Sequence, residues 1–179
     1  MISLFLISLV SFLGYMTFIV LKYGMPASIS ETYYLLPKKI GRIVFWAWTV
    51  LVALPLMIFG AEISPDRFPC EFMIFFCGTF LIGVGTAAQF KEDFVRKYHF
   101  IFAGICAAFS LGWIYFADPR LFWIPFALAV PYIIMGLAIK GVNEEGVKRN
   151  SLVAFLELVC FMSIYTCMFL YWLEVVNNI

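Results

Sequence analysis

Six apolar runs of 18 to 22 residues fill most of the 179-residue chain, at residues 2–21, 43–60, 71–89, 99–116, 121–139 and 152–173. Each is about the length a helix needs to cross a hydrocarbon core of roughly 30 Å at 1.5 Å per residue with its backbone polar groups satisfied internally. None alternates polar and apolar residues as a half-buried strand would. The pattern predicts an all-α, polytopic membrane bundle of six transmembrane helices. Residues 1–179 form a single domain, because the longest polar intervals, 22–42 and 140–151, are too short to build a second core. The first run reads as a retained helix, since no basic segment precedes it and no small-x-small cleavage pattern follows a short apolar core.

Composition supports this reading. Hydrophobic residues make up 64% of the chain and charged residues 13%, against about 25% charged in soluble domains. The net charge of +1 conceals a strong asymmetry. Ten of the twelve Lys and Arg residues fall in every second gap: Lys22, Lys38, Lys39 and Arg42; Lys91, Arg96 and Lys97; Lys140, Lys148 and Arg149. By the positive-inside rule those gaps face the cytoplasm and both termini lie outside, with a bacterial inner membrane expected from the small size and short loops. Trp113, Tyr115, Trp123, Tyr171 and Trp172 are then expected in the outer aromatic belt, and Tyr23, Tyr33, Tyr34, Trp46 and Tyr98 in the inner one.

Small residues concentrate in the third and fourth runs: Gly78, Gly83, Gly85 and Ala87, then Ala103, Gly104, Ala107 and Ala108. Such stripes let helix backbones approach closely, so these two helices are expected at the centre of the bundle, with self-association through the same residues as a further use. Pro55, Pro125 and Pro131 each lack an amide donor and are expected to bend the second and fifth helices. The five cysteines have no metal-type spacing and read as small apolar packers. Glu92 with Arg96, Asp93 with Lys97, Glu144 with Lys148, and Glu145 with Arg149 have the i,i+4 spacing of solvated helical pairs.

Candidate chemistry gathers towards the basic end. Glu157 lies six residues beyond Ser151, about 9 Å along a helix, inside the hydrocarbon. Intramembrane acids are costly and usually face a bundle interior or a polar cavity. Its own-helix neighbours offer no partner, so one must come from another helix or from water. It is either a neutral acid bonded to a neighbouring helix or a functional group in the company of Gln89, His99 and the loop Ser28-Ile29-Ser30-Glu31, all expected at similar depth. His99 reads as a proton donor, a headgroup contact or an interfacial residue. The segment from Gly24 to Tyr34 is too apolar for a solvated loop. Pro26 and Pro37 bracket it and its serines can cap a short helix, so it is expected to lie in or dip into the interface. The basic surface suits anionic lipid headgroups, although topology alone accounts for the charge equally well.

Pro26 with Ser28-Ile29-Ser30-Glu31, Pro37 and Phe45 before and within the second helix, and His99, Ala103 and Ala108-Phe109 opening the fourth, resemble the Frag1/DRAM/Sfk1 group and related bacterial DUF998 membrane proteins. In that group an Ile-Ser-Asp/Glu element precedes the second helix and a His-x-x-x-Ala-like element opens the fourth. This chain has Glu31 where many members have Asp. The resemblance implies a six-helix, lipid-facing membrane role rather than a particular reaction.

Three functions stay open at this point. The chain is a lipid-binding or regulatory protein holding a headgroup near Ser28, Ser30, Glu31, Gln89, His99 and Glu157; or a lipid acyl transferase or hydrolase with His99 or Glu157 as general acid/base and Ser28 or Ser30 as nucleophile; or a small proton-coupled transporter titrating at Glu157. Membrane lipids are the expected partners. No cofactor, metal or nucleic-acid partner is expected, for the sequence carries no nucleotide-binding glycine loop, haem motif, zinc spacing or serine elbow.

Overall fold

A computed structural model of the chain describes residues 2–66, 69–87, 93–142 and 148–177. The apolar runs form helices α1 (Ile2–Tyr23), α3 (Lys38–Ile63), α4 (Cys70–Thr86), α5 (Asp93–Ala117), α6 (Ile124–Ala138) and α7 (Leu152–Asn177), with a short α2 (Thr32–Leu35) in the first loop. A 3-10 turn, Pro119–Trp123, leads into α6. Five segments, α1, α3, α5, α7 and the turn together with α6, are long and apolar enough to cross a bilayer. The protein is therefore membrane-embedded. The 17 residues of α4 are as apolar but span only about 25 Å at 1.5 Å per residue.

Helix α1 packs on α3, α3 on α4, α4 on α5, and α6 on α7. Helix α7 returns to α1 through rings: Phe12 and Phe161 stack at 4.5 Å, and Phe5 meets Tyr165 edge-on. One polar chain crosses this core. Tyr165 donates to Ser8 Oγ at 2.6 Å, and Ser8 donates to the Val52 carbonyl at 2.7 Å. That carbonyl sits one residue past the one orphaned by Pro55, which lies inside α3. Pro131 is also interior to its helix, but Pro125 occupies the first turn of α6, where its missing donor has no intrahelical partner to lose. The expected bend at Pro125 is corrected accordingly.

Two further expectations change. Trp113 is not in an outer belt: it is fully buried, donating from Nε1 to Ser64 Oγ at 2.8 Å and meeting Tyr171 edge-on at 6.0 Å. Tyr33 is likewise buried, whereas Trp123 and Tyr115 are exposed as expected. The small residues of α4 do bring helices together, since a Cβ on Gly83 would lie 2.9 Å from the Phe102 ring of α5. Those of α5 do not. Nothing lies within 4 Å of a Cβ on Gly104, and Ala103 and Ala107 line a cavity.

The i,i+4 spacing of Glu144 with Lys148 and Glu145 with Arg149 suggests a helical turn after α6, and the structure corrects it at Lys148 and Arg149, which lie in a strand. That strand belongs to an antiparallel ribbon, Lys140–Val142 with Lys148–Asn150, which pairs Gly141 with Arg149. The charged pairs involving Glu92, Glu144 and Glu145 lie outside the described residues, as does the side chain of Asp93.

At the end of the bundle that holds Trp113, Asp118 caps the 3-10 turn. Its Oδ1 accepts the Arg120 N–H at 2.9 Å and the Arg120 Nε–H at 3.0 Å, while Arg120 also reaches Glu174 at 2.8 Å. The Arg120 guanidinium holds the Asp118 carboxyl below its ordinary value. A depressed carboxylate pKa contributes stability above the unfolded value and loses it as pH falls through the folded one. The unfolding temperature is therefore expected to drop on acidification through and below the usual aspartate range, and Asp118→Asn should remove that part of the drop in a pH series of melts.

Candidate functional site

The site is built on the loop between α1 and α3. Gly24, at φ 85°, ends α1 in the left-handed conformation, with its N–H on the Val20 carbonyl at 3.0 Å; glycine adopts it without a Cβ penalty. The chain then turns under the bundle rather than lying along its edge. Ile29, Ser30, Thr32, Tyr33 and Leu36 are all buried. Tight turns run from Ser28 into α2, and Ser28 Oγ accepts the Glu31 N–H at 3.0 Å as an N-terminal cap. Thr32 donates to the Ile29 carbonyl at 2.6 Å and accepts from Tyr15 of α1 at 2.7 Å.

Helix α7 holds the same loop from the other side. The Ala154 N–H donates to the Ala27 carbonyl at 3.2 Å. One turn further, the Glu157 carboxylate accepts the Ile29 N–H through Oε2, satisfying an amide at the start of a helical turn that has no partner within the turn. Its other oxygen, Oε1, lies 3.4 Å from Ser30 Oγ. The partner for Glu157 that its own helix could not offer is thus mainly a backbone amide of the loop.

His99 completes the arrangement from the first turns of α5. Only 3% exposed, it places Nδ1 3.1 Å from the Ala87 carbonyl and Nε2 2.9 Å from Ser30 Oγ. A carbonyl only accepts, so the neutral ring carries its hydrogen on Nδ1 and presents a lone pair at Nε2 to the Ser30 hydroxyl. Ser30 has one hydrogen to give. At 2.9 Å His99 takes it in preference to Glu157 at 3.4 Å.

A cavity of about 250 Å³ opens from this cluster. Ser30 and Glu157 lie at its loop end, while Leu56, Leu81, Phe161 and Ile164 form apolar walls farther in. Ala103 and Ala107 of α5 bound one side of its mouth; Val153 and Leu156 of α7, 51% and 41% exposed, bound the other. The exposed Val153 and Leu156 bring the cavity to the lateral surface between α5 and α7, and the same two helices meet where Trp113 packs edge-on against Tyr171.

Of the expected site residues, Ser30, His99 and Glu157 form one hydrogen-bonded group. Ser28 supports it as a cap. Glu31 does not line the cavity, and Gln89 lies outside the described residues. The amides of Ile29 and Glu31 and the carbonyl of Ala87, on which the group depends, are backbone atoms that no side-chain pattern identifies.

Chemically, Ser30 and His99 have the separation and tautomer of a nucleophile with its general base. An oxyanion needs free donors beside the serine. The Ile29 N–H is occupied by Glu157, and the Glu31 N–H by Ser28. The group is thus better furnished for holding a ligand than for stabilising a tetrahedral intermediate. Comparison with known proteins adds no assignment: no family model, no curated protein and no solved structure matches the chain.

Proposed function

We propose that the protein binds lipid, admitting one hydrocarbon chain from the bilayer into the cavity between α5 and α7 and holding its polar end at Ser30 and Glu157. The observation that carries this reading is the lining of the cavity: it is mostly apolar, its Thr49 and Ser110 hydroxyls are spent on backbone carbonyls of their own helices, and Ser30 and Glu157 stand at the loop end. All six long apolar segments cross the membrane, α4 as a short sixth span. The charge asymmetry puts both termini outside and the site near the cytoplasmic face of a plasma membrane, by the bacterial reading an inner membrane. The resemblance to the Frag1/DRAM/Sfk1 and DUF998 proteins agrees with such a role.

A second reading, acyl transfer through Ser30, has the 2.9 Å contact with His99 in its favour. One experiment separates the two. Native mass spectra of gently purified wild type are expected to show a discrete, non-covalent lipid adduct that is lost in Ala107→Phe, whose ring would occupy the cavity. Identical bulk lipids on both proteins would overturn lipid binding at this site. A covalent acyl mass on the wild type that is missing from Ser30→Ala would establish the transfer reading instead.

A further inference from the structure

Among the described residues, the polar side chains at the loop end of the cavity are Ser30 and Glu157. Glu157 Oε2 is engaged by the Ile29 amide. With the Ser30 hydrogen directed to His99 Nε2 and Glu157 in its ionised form, the lone pairs of Ser30 Oγ and Glu157 Oε1 face one another across 3.4 Å. A carboxylate offers about four acceptor sites, so Oε1 keeps unused capacity beside an oxygen that also needs a hydrogen. No Lys or Arg among the described residues lines the cavity. An acid inside a membrane usually pairs with a cation or faces a polar cavity, and here the cation is not supplied by the lining.

The ligand head that suits this end is one that brings donors and positive charge. A phosphate, sulfate or carboxylate would add acceptors where they already crowd, and would place like charge beside Glu157. A hydroxyl would supply one hydrogen and no charge. A primary ammonium has three donors and no acceptor; two can reach Glu157 Oε1 and Ser30 Oγ together as charge-assisted bonds, which are roughly twice as strong as neutral ones. The volume, about 250 Å³, falls just under the range of roughly 300–1,000 Å³ for pockets that enclose drug-sized ligands. It suits one alkyl chain rather than two.

We propose that the site selects a single-chain amphiphile with a primary amine head, its ammonium bridging Glu157 and Ser30 and its chain lying between α5 and α7. This rests on the lipid-binding reading above and narrows it. It also sets the site apart from the Lys- and Arg-rich loops of the sequence, whose charge suits anionic headgroups, whereas the cavity end prefers the opposite charge.

The test uses the full chain in maltoside micelles with three probes of equal chain length, dodecylamine, dodecanol and dodecyl phosphate, and follows the thermal unfolding midpoint as each is titrated. The amine is expected to raise the wild-type midpoint at a concentration at least about tenfold below that of the alcohol, given the stronger charge-assisted bonds, and the phosphate to give no saturable rise. Glu157→Gln, whose amide oxygen can still accept the Ile29 N–H, should abolish the amine preference while leaving the alcohol response. Ala107→Phe should abolish every response. If the phosphate matches or exceeds the amine, or the amine preference survives Glu157→Gln, the headgroup assignment is overturned while the cavity reading stands. If no probe shifts the wild type, or all still act on Ala107→Phe, both fall together. Should Glu157→Gln fail to fold, the wild-type ranking of the three heads decides alone.

Discussion

Replacing Gly141 with valine is expected to destabilise the bundle by about 3 kcal/mol, at the upper end of ordinary overpacking, and to disassemble the site without touching any residue in it. A Cβ at Gly141 would lie 2.7 Å from the Pro26 carbonyl oxygen, 2.9 Å from the Ala27 Cα and 2.6 Å from Ser151 Oγ. The first two are backbone atoms and cannot rotate away. The loop would have to retreat from the ribbon, taking with it the Ala27 carbonyl that accepts the Ala154 N–H. Ile29 and Ser30 follow two and three residues later, so Glu157 would lose its amide and His99 its hydroxyl. The neutral control is Gly104→Ala, at a position with nothing within 4 Å of a new Cβ. Equilibrium unfolding in mixed micelles, with lipid retention measured on the same samples, checks both parts. A Gly141→Val protein within about 0.5 kcal/mol of wild type, the usual effect of a bland surface change, and still carrying its lipid would show that the ribbon does not hold the loop.

That ribbon was invisible in the sequence for a physical reason. Its three-residue strands bury little apolar area and have no room for an alternating pattern, so Lys140–Val142 and Lys148–Asn150 read as a polar gap whose charge spacing suited a helical turn better than a strand. The long helices were legible because a bilayer imposes length and apolarity on every span. Their ends were not. Helix α3 begins at Lys38 and α5 is already helical at Asp93, five and six residues before the apolar runs, since backbone hydrogen bonding continues through the interface after hydropathy has fallen away.

Which way a residue faces was harder to read than where it lies. Ala103 and Ala107 gave the same small-residue signal as Gly83, yet Gly83 receives the Phe102 ring whereas the alanines leave a space. Small size permits close approach and permits a cavity, and only the neighbouring helix decides between them. Within the site, Ser30, His99 and Glu157 stood out because each is polar against an apolar background. Their connection did not, because it runs through the Ile29 amide and the Ala87 carbonyl, which every sequence possesses.

Trp113→Ala is expected to be the other severe change, about 3–5 kcal/mol as for large-to-small core substitutions of Phe or Trp. Trp113 is fully buried, and its Nε1–H donates to Ser64 Oγ, which donates in turn to the Gly60 carbonyl at 2.6 Å. In a bilayer part of the usual transfer energy is missing, since lipid is as apolar as the core. What remains is lost packing, so the lower half of the range is the better expectation. The indole also has a geometric role. Through Tyr171 it fastens α5 to α7 at one end, and the cavity separates the same two helices at the other, so the gap depends on a closed far end. Trp113→Phe keeps an aromatic contact and leaves Ser64 its own acceptor, and should cost less than half as much. Cavity-bound lipid should then follow stability in an ordered series, full in wild type, retained in Trp113→Phe and lost in Trp113→Ala at equal folded fraction. Undiminished lipid on folded Trp113→Ala would mean that the separation of α5 and α7 is set at the loop end alone, by the contacts of Ser30 with His99 and Glu157.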